Sequence, residues 1–215
     1  MALAMIQLTS KRARTKVRKG NSYGPRPDVL SKWVTYSAFS LKKGIVVSNT
    51  PVAVDDATAT TALYLTISAF RHFSQAERSL RVARWKSDIS SSFAHDVTGK
   101  TLAILGLGGI GFRLAELAHA FPMRIIYHSR NKVLGAPDWC EYFEQERLDE
   151  FLGLADVLSV HVPLGPGTEG LINWGMIRKL KRGAILINTA RGKVIDESAV
   201  IKGLEDGHVS ACQII

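Results

Sequence analysis

Thr101-Leu-Ala-Ile-Leu-Gly106-Leu-Gly108-Gly109-Ile-Gly111 is the stretch on which the reading of this chain turns. A short apolar strand runs into a glycine-rich turn, and the turn opens a helix. Alone, a G-x-G-x-x-G match says little. Between a strand and a helix it is the arrangement a nucleotide diphosphate requires. Gly106 permits the tight turn, Gly108 lets a pyrophosphate approach the backbone, and Gly111 allows the helix to pack close to the strand. Leu107, Gly109 and Ile110 complete the loop. The helix beginning near Ile110 offers its unpaired N–H groups to the anion.

Outward from this turn, strand-like and helix-like segments alternate. Strands are predicted at Thr101–Leu105, Met123–Tyr127, Val157–Val162, Ala184–Asn188 and Val209–Ile215. Helices are predicted between them, at Ile110–Phe121, Leu148–Leu154, Trp174–Leu180 and Glu197–Asp206. Apolar strands alternating with helices imply right-handed βαβ crossovers, hence an α/β fold with a doubly wound parallel sheet covered on both faces. This Rossmann-type domain is expected to occupy residues 99–215. Before it, Gly44-Ile-Val-Val-Ser48 reads as a strand ended by the turn Asn49-Thr50-Pro51. Residues 56–86 read as one long helix, and Ser87 to Gly99 as a loop. Residues 44–98 are thus expected to form a strand and a linking helix.

The charge is confined to one segment. Residues 1–43 hold ten Lys or Arg and a single acid, Asp28, which accounts for the entire net charge of +9. From Gly44 onward, 18 basic and 18 acidic side chains cancel. That part has no electrostatic reason to bind nucleic acid. The basic start, broken by Gly20, Gly24, Pro25 and Pro27, reads as a disordered or extraneous leader, with an organelle (mitochondrial) transit segment or a nucleic-acid arm as alternatives. Two cysteines, Cys140 and Cys212, are too few for a disulfide framework or a metal cluster, so no metal is expected and a cytoplasmic location is. No apolar run approaches the ~18 residues of a membrane span.

Cofactor selectivity is decided where the second strand ends, roughly 20 residues past the turn, where an acidic side chain would receive the ribose hydroxyls of NAD. Here the chain has His128-Ser129-Arg130-Asn131-Lys132, with no acid between Glu116 and Asp138. Arg130 and Lys132 can pair with a 2′-phosphate, and Ser129 can donate to it. NADP(H) is therefore expected to be preferred, with NAD(H) as the alternative.

Four segments resemble the D-isomer-specific 2-hydroxyacid dehydrogenases: Thr101–Gly111, Ala155-Asp-Val-Leu-Ser-Val-His-Val-Pro-Leu164, Thr168-Glu-Gly-Leu-Ile172 and Gly183-Ala-Ile-Leu-Ile-Asn-Thr-Ala-Arg-Gly192. Val47-Ser-Asn-Thr-Pro51 with Ala57-Thr-Ala59 resembles the family's hinge. Among members, the Ser129-Arg130 stretch is most similar to glyoxylate and hydroxypyruvate reductases. The resemblance implies a site. Arg191 matches the arginine that holds the substrate carboxylate, a role for which a planar guanidinium is suited. Thr189 and Ala190 match positions on the nicotinamide side, Val162, Pro163 and Thr168 positions around the adenosine and pyrophosphate, and Thr58 a hinge contact. Members are usually dimers, and the helix from Asp56 to Arg84 is similar to the one that packs across that dimer, so a homodimer is expected.

The resemblance also implies groups that do not match here. Members carry a glutamate and a Pro-His histidine beyond the arginine for proton transfer, and a substrate domain ahead of the hinge. None of the six histidines (His72, His95, His119, His128, His161 and His208) fits that histidine, and Cys212-Gln-Ile-Ile215 departs from the family pattern. The expectation is a reading frame truncated at both ends, retaining only a remnant of the substrate domain, that binds dinucleotide weakly and reduces 2-oxo acids negligibly. The rival expectation is a non-catalytic dinucleotide-binding module, as in the family's corepressor branch.

Overall fold

In a computed structural model of the chain, residues 52–84 and 94–214 are described. The leader over 1–43, the expected strand Gly44–Ser48, the turn at Asn49-Thr50-Pro51, Ile215 and most of the loop from Ser87 to Gly99 lie outside the described residues.

Strand β1 (Thr101–Leu105) is buried along its whole length, because its side chains divide between two apolar layers. Leu102 and Ile104 enter one core with Ile125, Tyr127, Val157 and Ile187, while Ala103 and Leu105 enter a second with Ile126, Leu158, Val160 and Leu186. Such a strand must be apolar throughout and must have helices over both faces. Flanking it are β2 (Arg124–His128), β3 (Cys140–Phe143), β4 (Val157–Val160), β5 (Ala184–Asn188) and β6 (Val209–Ile214). All neighbours are parallel, in the order β3-β2-β1-β4-β5-β6.

The helices divide in the same way. α1 (Asp55–Arg71) and α3 (Gly109–His119) cover the first layer through Ala59, Ala62, Leu63, Leu114 and Ala118. α4 (Leu148–Leu154), α5 (Trp174–Ile177) and α6 (Glu197–Glu205) cover the second through Phe151, Leu152, Ile177, Ala199 and Val200. A short α2 (Phe73–Arg81) follows α1. The doubly wound parallel sheet expected from the sequence is the fold that forms.

Several bounds shift by one to three residues, as where α5 stops at Ile177 rather than Leu180, and three larger details differ from expectation. β3 was not foreseen: Cys140-Glu-Tyr-Phe143 is only four residues and carries no clear alternation, and it becomes a strand by pairing with β2 at the sheet edge. The single helix expected over residues 56–86 is broken at His72. That residue adopts φ 53° and ψ 33°, and its N–H turns back to the Ser68 carbonyl. A left-handed residue of this kind closes a helix, and histidine tolerates it better than most. Finally, β4 stops at Val160 rather than Val162. His161 and Val162 are thereby released into the loop at the carboxyl edge of the sheet.

Candidate functional site

In this strand order the chain reverses direction at β1, so the loops leaving β1 and β4 diverge and leave a crevice at the carboxyl ends of the strands. Gly106 stands in it with φ +97°. A Cβ built there would lie 3.1 Å from Val162 Cγ1 and 3.1 Å from the His161 carbonyl carbon. Only glycine keeps that approach open. Gly111 is held closer still: a Cβ there would run into the Gly106 carbonyl oxygen, which is how α3 reaches β1 so tightly. Gly108 is the N-cap of α3 and has no side chain to cap it, so the first-turn amides at Gly109 and Ile110 are presented for an anion. The Leu107 side chain is fully buried and its N–H is given to Ser129 Oγ at 3.0 Å, so its part in the turn is to shape it.

That bond joins the turn to the loop after β2. The Gly106 N–H also donates to the His128 carbonyl at 2.8 Å, so the two strand ends are stitched twice. Ser129 accepts from Leu107 and keeps its own proton to donate. Arg130 and Lys132 follow on the exposed side of the loop. His128 itself is buried, with Nδ1 2.9 Å from the Phe143 carbonyl.

After β4, the His161 N–H donates to the Leu105 carbonyl, and its ring Nε2 lies 2.8 Å from Ser159 Oγ. Desolvation pushes this imidazole from its ordinary 6.5 down to about 4, which leaves it neutral. An unfolded histidine takes up a proton near 6.5, whereas this one resists protonation until about 4. Its stabilising contribution is therefore complete above pH 6.5 and is lost as pH falls toward 4. Equilibrium unfolding followed across that window is expected to show stability falling on acidification, with a shallower slope in His161→Asn. Further along the loop, Thr168 Oγ1 donates to the Pro163 carbonyl at 2.6 Å and accepts from the Gly165 N–H at 2.8 Å. Its hydroxyl closes the loop 163–168, so it positions Val162 and Pro163 and has no proton left for a phosphate.

The loop after β5 is pinned from below. Asn188, fully buried, donates through Nδ2 to the Arg191 carbonyl and accepts through Oδ1 from the Ala190 N–H, both at 3.0 Å. Sequence reasoning assigned Asn188 to the strand and missed this role. Thr189 Oγ1 is buried and, among the described residues, has no hydrogen-bond partner. An orphaned hydroxyl at the carboxyl end of a strand, on the edge of the sheet that carries the glycine turn, fits a bound dinucleotide that completes it. Arg191 is exposed, with Nη1 turned onto the Ala190 carbonyl at 2.6 Å. Thr58 is half-buried on α1, its N–H bonded to the Val54 carbonyl.

The remaining histidines are engaged elsewhere. His119 stacks on Trp139 at 4.0 Å, His208 Nε2 contacts the Leu180 carbonyl at 3.0 Å, and His95 donates its N–H to the Phe70 carbonyl. A groove of about 600 Å³ opens beside Gly192, lined by Glu169, Lys193, Asp196 and Glu197. Its three carboxylates suit neither a pyrophosphate nor a carboxylate substrate. Burial raises both thiols, Cys140 to about 12 and Cys212 to about 11, so neither is a nucleophile near neutral pH. Among the described residues no helix is long and apolar enough to cross a membrane.

Comparison with known proteins bears on the same region. Residues 63–214 match the model of the D-isomer specific 2-hydroxyacid dehydrogenase NAD binding domain. The chain is 40% identical over 167 residues to 4-methyl-2-oxopentanoate reductase A of Aspergillus oryzae, covering 78% of this chain and 50% of that protein. It is 37% identical to a glyoxylate reductase of Aeropyrum pernix, covering 80% and 52%. A crystal structure of a glyoxylate reductase from Paecilomyes thermophila superposes with a TM-score of 0.75 at 38% identity, covering 83% of this chain and 53% of that one. The chain spans about half the length of the curated relatives it matches.

Proposed function

The chain belongs to the D-isomer specific 2-hydroxyacid dehydrogenase family, and from that premise we propose that it binds NADPH in the crevice above β1 and β4 and serves the reduction of a small 2-oxo acid of the glyoxylate or hydroxypyruvate class. The observation that carries this reading is the hydrogen bond from the Leu107 N–H to Ser129. It sets the loop bearing Arg130 and Lys132 against the diphosphate turn, where a 2′-phosphate would lie. The Gly109 and Ile110 amides would hold the pyrophosphate, Val162 and Pro163 would border the adenosine half, and Thr189 and Ala190 the nicotinamide. The dinucleotide supplies a hydride for the substrate carbonyl carbon. Arg191, with five donors of which one is spent on Ala190, would grip the carboxylate and polarise the adjacent carbonyl.

Fluorescence titration tests the cofactor assignment. A charge-assisted hydrogen bond contributes about 1.5–3 kcal/mol, so NADPH is expected to bind roughly 10- to 100-fold more tightly than NADH. Arg130→Ala is expected to remove most of that difference while leaving NADH affinity in place. Equal affinities in the parent chain would refute the NADPH assignment. Glyoxylate added to the NADPH complex then tests the reaction. Absorbance loss would assign proton transfer to the chain's own groups, whereas binding without turnover on any 2-oxo acid fits a non-catalytic dinucleotide module. The outer side of α1 and α2 leaves Tyr64, Phe73, Leu80 and Val82 exposed, which supports a homodimer.

A further inference from the structure

α3 lacks a capping side chain of its own, yet a carboxylate lies at its first turn. It comes from a different helix. Asp55, half-buried in the first turn of α1, places its carboxyl group against Gly109: a Cβ built on Gly109 would collide with Asp55 Oδ2, with Cγ 2.9 Å and Oδ1 3.1 Å away. The side chain one position further on reaches the same helix differently. Asp56 pairs with Arg113 at 2.5 Å on the exposed surface, away from the turn, and Arg113 is shared with Glu116. The two acids therefore have separate duties. Asp56 ties α1 to α3 through Arg113, whereas Asp55 sets its carboxyl group against Gly109 in the first turn of α3.

Resting on the dinucleotide-binding reading, we propose that Asp55 sets the affinity of this site: its carboxylate competes with the pyrophosphate for the start of α3 and must yield when dinucleotide binds. A carboxylate near a helix N-terminus is favourable on its own. A diphosphate brought to the same turn meets like charge at short range, and in a partly desolvated crevice that repulsion is weakly screened. Gly109 is part of the device, since any larger residue would drive the carboxylate off the turn. Removing the charge has two effects of opposite sign: the ligand-free chain loses stability while dinucleotide binds more tightly.

The test compares the parent chain with Asp55→Asn, Asp55→Ser and Asp56→Asn, each titrated with NADPH and with NADH and each melted without ligand. Asp55→Asn keeps the size of the side chain, and Asp55→Ser keeps a small polar group if the amide disturbs folding. Both are expected to bind either dinucleotide ~10-fold more tightly, because one close like charge is gone. Both are expected to melt a few degrees lower without ligand. Asp56→Asn removes the same charge one residue away and is expected to leave affinity within ~2-fold, since exposed charges are screened. A parent chain that binds while Asp55→Asn binds equally or less tightly would overturn the role of Asp55 and leave the dinucleotide site standing. Equal gains from Asp55→Asn and Asp56→Asn would also overturn it, reducing the effect to general charge. Binding by Asp55→Asn alone would support it strongly. Folded chains that all ignore both dinucleotides would overturn it together with the proposed function.

Discussion

Gly111→Ala is expected to destabilise the chain by about 3 kcal/mol and to weaken NADPH binding more than ~10-fold. The added methyl group would run into the Gly106 carbonyl oxygen and come within 3.1 Å of Ile104 Cγ2. The first of these is backbone, and it belongs to the turn itself. Gly106 is tethered to the His128 carbonyl through its N–H and faces His161 and Val162, so it cannot retreat. α3 would have to lift off β1, carrying the Gly109 and Ile110 amides away from the crevice. Alanine's better helix propensity returns only about 1 kcal/mol. Gly203→Ala is the informative contrast within the same fold. Its new methyl group meets Ile177 Cγ2 at 2.9 Å and Val209 Cγ2 at 3.3 Å, both on fully buried side chains of the second core and neither belonging to the diphosphate turn. Overpacking that core should cost about 1–2 kcal/mol, partly offset by the propensity gain, and should leave NADPH affinity unchanged. Thermal melts and titrations of the two variants check the pair. Similar losses in both would mean that Gly111 is an ordinary helix glycine.

Much of this architecture was legible in the sequence because its main determinant is local. β1, β5 and α4 fall where the apolar runs and their turn residues put them, and the glycine spacing named the carboxyl edge of the sheet as the place where a ligand sits. What escaped depended on partners far along the chain. Cys140-Glu-Tyr-Phe143 is a strand because β2 offers it an edge, with Tyr127 beside Tyr142 in the register. The break at His72 has no glycine or proline to announce it. The site follows the same division. Gly106, Gly108 and Gly111 carry their meaning in their spacing. Thr168, expected around the adenosine and pyrophosphate, spends its hydroxyl on its own loop, a contact its spacing did not announce. Asp55, just ahead of the helix expected from residue 56, gains a meaning only when the fold brings Gly109 against it.

Asn188 is the other residue whose meaning appeared only with the fold, and its substitution carries the second large expected effect. Asn188→Ala is expected to cost about 3 kcal/mol, a fall in Tm of roughly 6–12 °C for a chain of this size. Its amide answers two backbone groups at once, the Ala190 N–H and the Arg191 carbonyl, from a fully buried position. Removing it orphans both and leaves a small void beneath β5. The loop that then relaxes carries Thr189, Ala190 and Arg191, so NADPH affinity should fall together with stability. Asn188→Asp separates the two bonds. The carboxylate could still accept from Ala190, but it would set an oxygen against the Arg191 carbonyl and bury a charge, so the loss should at least match that of alanine. A melt in which Asn188→Ala unfolds with the parent chain would mean that the turn bearing Arg191 is held by the 3₁₀ segment Gly192–Val194 alone, and the geometry assigned to this side of the crevice would have to be drawn again.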